Sequence, residues 1–147
     1  ERREVVASLL GELGGEASEC PYPFMSWLEV KALMEEGFEV GPHTLSHANL
    51  AVENHLAMAQ EVHLSLERIR EKTGDVTRVY SYPYGEESFV NSGVRKALAD
   101  EGVCCAVTAV SGMNDRKSDL YVLKRFNITG NHGTLSFDAV LSGLRPF

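Results

Sequence analysis

Apolar residues recur with the period of an amphipathic helix over two long stretches of the chain. From Val52 they return every three or four residues until Gly74 ends the pattern, at Leu56, Ala59, Val62, Leu66 and Ile69. Between residues 88 and 101 the same spacing places Val90, Val94, Ala97 and Leu98 on one face, before Gly102. Both patterns predict a helix that packs one face against a core.

Two more helices are predicted at either end of this region. Residues 26–37 read SWLEVKALMEEG, in which Ser26 and Glu29 have the spacing of a capping box and Gly37 is a stop signal. Residues 136–144, SFDAVLSGL, are predicted to form a closing helix.

Short apolar runs between these helices predict strands, at residues 38–41, 77–82, 103–109 and 120–128. Strands and helices therefore alternate, which predicts a single α/β domain over residues 1–147, with a parallel sheet or barrel and helices outside it. In such folds the functional loops follow the carboxyl ends of the strands.

Two histidines, His43 and His47, follow the first predicted strand at a spacing of four residues. Imidazole nitrogens are good zinc ligands, and this spacing can turn both rings to one side. A surface turn in which one histidine binds its own backbone would have the same spacing. Because a catalytic metal usually has three protein ligands, the pair can form only part of a metal site.

The loop after the second predicted strand reads Tyr82, Pro83, Tyr84, Gly85. It can be a turn that ends the strand, with Pro83 fixing one φ and Gly85 taking a positive φ. It can also be a rigid loop that offers backbone N–H groups and aromatic rings to a sugar, and the two interpretations are compatible.

The remaining candidate residues are isolated. His132 lies in a glycine-rich loop, and Arg125 lies in the last predicted strand. His55 and His63 fall outside the apolar stripe of the long helix and are expected to face solvent.

Composition excludes some classes of function. The 147 residues carry a net charge of −7 and no basic run, which argues against a nucleic-acid partner. No segment approaches the roughly 20 apolar residues needed to span a bilayer. The 3 cysteines do not make a disulfide framework.

Two motifs resemble those of the polysaccharide deacetylase family (carbohydrate esterase family 4, the NodB-homology domain). Residues 39–50, EVGPHTLSHANL, resemble its second motif, His-Ser/Thr-x-x-His, with Ala48 where a Pro is usual and Leu50 in register. Residues 80–88, YSYPYGEES, resemble its third motif in the variant aromatic-x-Tyr-Pro-Tyr-Gly. The resemblance extends over about residues 25–128 in the right order.

This resemblance implies a deformed (β/α) barrel and hydrolysis of an N- or O-linked acetyl group on a polysaccharide or oligosaccharide, a reaction on C–N bonds other than peptide bonds. A divalent metal, with zinc as the expected ion, would be held by His43, His47 and an Asp, and would activate the attacking water. The backbone N–H of Tyr84 would stabilise the oxyanion, and residues 82–85 would contact the substrate. Arg125 would supply the charge that many members carry at the position of Ser81, and His132 would be the acid.

The first motif of that family, Thr-Phe-Asp-Asp-Gly, has no counterpart, because the chain contains no Asp-Asp pair. The metal-binding Asp and the base are therefore absent from this chain. We expect a partial barrel without its first strands, the C-terminal part of a catalytic domain, inactive alone. A shortened relative that kept the scaffold and lost the base is the other explanation.

Two further functions stay open, a saccharide-binding module without catalysis and an amide hydrolase for small molecules. A barrel without its first strands would expose strand edges and apolar surface, so a homo-oligomer is expected. The family resemblance implies a periplasmic, cell-envelope or secreted location.

Overall fold

The structure, a computed structural model, describes Ser8, residues 24–130 and residues 133–143. Its elements in chain order are helix α1 (Trp27–Glu35), helix α2 (His55–Thr73), strand β1 (Val79–Ser81), a 3-10 turn (Glu87–Phe89), helix α3 (Ser92–Asp100), strand β2 (Cys105–Val107) and helix α4 (Thr134–Leu141). β1 and β2 pair in parallel, with Tyr80 opposite Ala106. From α2 to α4 helices and strands alternate, which confirms the predicted α/β class.

Helix α1 has the ends that its sequence predicts. The Ser26 side chain accepts from the Glu29 N–H, and the Glu29 carboxylate accepts from the Ser26 N–H, which completes the capping box. At the other end Gly37 takes a φ of +92°, and the N–H groups of Gly37 and Phe38 donate to Met34 and Leu33. None of the α1 residues is buried, so the helix lies at the surface.

Helix α2 differs from its prediction at its beginning. The side chain of Asn54 caps the first turn by accepting from Leu56 and Ala57, so the helix starts three residues after Val52. Leu56 is 75% exposed. The buried face of the helix consists of Met58, Val62, Ser65 and Ile69, and Leu56 lies outside it.

The helix predicted over residues 88–101 is broken into two pieces. The 3-10 turn comes first, and the side chain of Asn91 then caps α3 by accepting from the Val94 N–H. Val90, Val94 and Leu98 are buried as their spacing predicts.

Two of the predicted strands are extended segments instead. Beside β1, the Ser81 N–H donates to the Pro42 carbonyl, but residues 38–41 form no ladder. Beside β2, Leu123 makes an isolated parallel bridge to Val107. Neither segment forms a continuous ladder with its neighbour, so the described region is part of an α/β barrel and not a closed one.

The core lies between the paired strands and helices α2 and α3. It contains Leu50, Met58, Val62, Tyr80, Tyr82, Val90, Val94, Leu98, Val103 and Ala106. The packed core therefore supports two loops, the histidine loop (residues 43–47) and the tyrosine loop (residues 82–85). Of the helices that the structure describes, none has the length and apolar character to cross a membrane.

Candidate metal centre

The backbone is strained in both loops that follow the carboxyl ends of β1 and of the extended segment beside it. Thr44, His47 and Tyr84, with φ of +61°, +60° and +63°, are the non-glycine residues of the described region that adopt a positive φ. Such a conformation costs about 1–3 kcal/mol per residue and persists only where the surroundings impose it. The strain of the described backbone is thus concentrated at the predicted site.

The rings of His43 and His47 are neighbours. Their centroids are 4.9 Å apart and their planes meet at 71°. The Nδ1 of His43 lies 2.8 Å from the carbonyl oxygen of Ser81. A carbonyl can only accept, so in the neutral ring Nδ1 carries the proton and the lone pair of Nε2 is available to a cation.

Tyr84 stands next to this pair. Its ring centroid is 5.0 Å from that of His47 and 6.4 Å from that of Phe89. The side chain is 58% exposed. No other described residue accepts a hydrogen bond from its backbone N–H. Tyr84 therefore offers both a ring and an N–H beside the histidines.

Tyr82 is a core residue, which corrects the interpretation of its ring as a surface for sugar. It is 3% exposed, and its hydroxyl donates to the Tyr121 carbonyl at 2.9 Å. Burial raises the pKa of this phenol well above its usual range. The alternation along β1 places Tyr80 and Tyr82 on the same inward side.

Pro83 and Gly85, on either side of Tyr84 in the tyrosine loop, are buried too. Gly85 has a φ of +67°, and a Cβ at this position would collide with the backbone of Ala109. Only glycine satisfies both constraints without strain.

The histidine loop is also held by a residue of α2, a contact that the sequence pattern did not predict. The Glu61 carboxylate accepts from the N–H groups of Leu45 and Ser46, at 2.9 Å each, and from the Ser46 hydroxyl at 2.7 Å. The hydroxyl of Thr44 accepts from the Ala48 N–H at 3.1 Å. Glu61 lies next to Val62 on the inward side of the helix. A charged residue at such a position was the sequence signal that could have indicated a polar partner there.

The other candidates lie apart from this cluster or outside the described residues. Arg125 is exposed, and within the described region no hydrogen bond or ion pair joins it to the histidine loop. His132 lies outside the described residues. His55 and His63 are exposed as predicted, and the Nδ1 of His63 lies 3.1 Å from the Glu101 carboxylate.

The donor set fits part of a metal site. His43 and His47 supply two imidazoles, while residues 24–130 and 133–143 contain no group of three or more His, Cys, Asp or Glu that could hold an ion. Two nitrogen donors at this spacing suit zinc and similar ions.

Comparison with known proteins decides the family. Residues 10–106 match the family model described as polysaccharide deacetylase. The chain is a polysaccharide deacetylase family member. No curated protein matches it.

Solved deacetylases share the fold of this chain. The deacetylase PplD of Streptococcus pyogenes, in complex with acetate, superposes with a TM-score of 0.72 at 20% identity over 93% of this chain. IcaB of Ammonifex degensii gives 0.66 at 22% identity over 84%, and the BpsB deacetylase domain of Bordetella bronchiseptica gives 0.62 at 18% over 82%. The chain spans 55%, 54% and 64% of these proteins, respectively.

Proposed function

We propose that this chain contributes two metal ligands to a metal-dependent hydrolase that removes acetyl groups from an acetylated polysaccharide or oligosaccharide. The observation that carries the proposal is the hydrogen bond from His43 to Ser81, which leaves Nε2 free beside the ring of His47. A hydrogen bond from one ring nitrogen to a backbone carbonyl is the usual support of a histidine that binds a metal through its other nitrogen.

A bound divalent cation, with zinc as the expected ion, would supply Lewis-acid polarisation of the acetyl carbonyl. His43 would bind it through Nε2, and His47 through its own imidazole. The Tyr84 N–H would donate to the carbonyl oxygen as negative charge develops there. The exposed ring of Tyr84 would contact the sugar, over a loop shaped by Pro83 and Gly85.

The third ligand and the base would come from residues beyond this chain, since its sequence has no Asp-Asp pair. The chain would then be inactive by itself as a deacetylase. In the same proposal, Arg125 would supply a positive charge to the site and His132 would be the acid. Both residues follow β2 in the chain.

We also propose an envelope, periplasmic or secreted location and a homo-oligomer. Apolar side chains on the described surface support association, among them Phe24 at 91%, Leu28 at 79% and Leu135 at 87% exposure. A strictly monomeric mass in light scattering at high concentration would contradict the oligomer.

Zinc titration tests the proposed site directly. We expect the unmodified chain to bind zinc, and His43→Ala and His47→Ala each to raise the dissociation constant at least tenfold. His55→Ala removes an exposed imidazole from the start of α2 and should change nothing. The proposal is wrong if all four proteins bind zinc equally, or if the unmodified chain binds none at micromolar concentration.

Acetate release tests the reaction itself. A full-length deacetylase that contains this chain and an Asp-Asp motif should release acetate from an N-acetylated oligosaccharide, and His47→Ala should abolish the release. A full-length protein that binds the oligosaccharide without releasing acetate would indicate a binding module instead.

A further inference from the structure

Three donors of the histidine loop converge on one carboxylate. The Oε2 of Glu61 accepts from two successive backbone N–H groups, those of Leu45 and Ser46, and its Oε1 accepts from the Ser46 hydroxyl. Successive N–H groups that point the same way form a local positive concavity, which a carboxylate fills well. Hydrogen bonds to a charged acceptor are about twice as strong as neutral ones.

These bonds act between the two strained residues of the loop. Leu45 and Ser46 lie inside the segment bounded by Thr44 and His47, both of which have a positive φ. A loop with two unfavourable backbone conformations relaxes unless other contacts hold it. The segment between the strained residues is therefore where an external anchor has most effect on both histidines.

Glu61 can serve as an anchor because its own backbone is fixed. It precedes Val62, a residue of α2 with 0% exposure in the core. The carboxylate thus connects the loop to the packed interior of the protein. Functional groups are placed accurately when their supports belong to rigid elements.

We propose that Glu61 is a positioning residue that sets the mutual orientation of His43 and His47. It acts through the loop backbone and touches neither metal nor substrate. The inference rests on the proposed function, because the orientation of the two histidines matters for metal binding. The orientation itself can be measured without a metal.

The main experiment compares four folded proteins: the unmodified chain, Glu61→Ala, Glu61→Gln and Glu71→Ala. Glu71 is an exposed glutamate of the same helix and controls for the loss of one negative charge. We expect Glu61→Ala to weaken zinc binding about 10–100-fold, the range typical of residues that orient metal ligands. The carbonyl of Gln still accepts from both N–H groups, so Glu61→Gln should recover most of the affinity.

A metal-free measurement separates this inference from the proposed function. Long-range ¹H–¹⁵N spectra should show one ordered tautomer for His43 in the unmodified chain and in Glu61→Gln, but averaged signals in Glu61→Ala. If the unmodified chain binds no zinc, the proposed function fails and these spectra alone decide the role of Glu61.

Unchanged zinc affinity and unchanged His43 signals in Glu61→Ala would overturn the inference. A Gln variant as defective as the Ala variant would also count against it. Should Glu61→Ala fail to fold, Glu61→Asp keeps the charge and shortens the reach by one methylene. We then expect weaker zinc binding or averaged His43 signals for Glu61→Asp, and the unmodified behaviour would overturn the inference.

Discussion

The side chain of His43 is tied to the last residue of β1 through a 2.8 Å contact between its Nδ1 and the Ser81 carbonyl oxygen. The two residues are 38 positions apart in the chain. The same Ser81 donates its own N–H to Pro42, the residue before the histidine. A single residue of β1 therefore holds both the backbone and the ring at the start of the histidine loop.

We expect neutral His43 to be the Nδ1–H tautomer, because the Ser81 carbonyl can accept a hydrogen bond but cannot donate one. The ¹⁵N shifts of the ring nitrogens in long-range spectra distinguish the two tautomers. His55, an exposed histidine, should show the tautomer mixture of free imidazole. A predominant Nε2–H form of His43 would contradict the contact with Ser81.

Tyr82→Phe and Tyr80→Phe should differ in their effect on stability although both rings are buried. Tyr82 donates to the Tyr121 carbonyl, so its loss should lower the free energy of unfolding by about 1–2 kcal/mol. The Tyr80 hydroxyl is buried without a hydrogen-bond partner of good geometry among the described residues, so its removal should change stability by less than about 0.5 kcal/mol or increase it. Urea unfolding at neutral pH measures both, and equal losses would contradict the assignment.

Stability should fall at alkaline pH through Tyr80. Burial raises the pKa of Tyr80 to about 12, with the charge of Glu61 adding to the effect and Ser65 and Thr44 opposing it. The folded pKa lies above the unfolded value of about 10, so the contribution is complete below pH 10 and is lost as the pH rises toward 12. The stability difference between the unmodified chain and Tyr80→Phe should therefore be constant below pH 10. Above it, the unmodified chain should lose up to about 1.4 kcal/mol per pH unit relative to the variant. Urea unfolding between pH 8 and 11.5 measures this difference. A difference that does not change with pH would be inconsistent with the burial of this phenol.

Gly85→Ala should destabilise the protein more than Gly102→Ala. Both glycines have a positive φ, +67° and +76°, so each substitution strains the backbone by about 1 kcal/mol. A Cβ at position 102 meets nothing within 4 Å, whereas one at position 85 collides with Ala109. We expect the loss for Gly85→Ala to exceed that for Gly102→Ala by at least about 2 kcal/mol in urea unfolding. Comparable losses would mean that the tyrosine loop can move away from Ala109.

The helices were largely predictable because their signals are local. The capping box of Ser26 and Glu29, the stop at Gly74 and the spacing of Val94 and Leu98 all depend on residues within one or two turns. The start of α2 was placed too early, because Val52 fits the apolar spacing although the Asn54 side chain caps the helix, which begins at His55.

The strands were less predictable because a strand exists only through its partner. Residues 38–41 have apolar composition, but it is the following Pro42 that accepts a hydrogen bond from β1. Residues 120–125 bond to residues 106–110, but only Leu123 is in register for a bridge to Val107. Apolar content indicates burial and does not by itself specify a continuous ladder.

The sequence by itself determined the presence of the helices, the capping box of α1, the family motifs and the pair His43 and His47, because each is encoded by residue type and short spacing. Only the tertiary structure decided that Tyr84 faces outward while Tyr82 enters the core. It also decided that Ser81 orients His43 and that Glu61 anchors the loop between the histidines. These contacts join residues 15 to 38 positions apart, and such distances are set by how helices and strands pack, not by any local pattern.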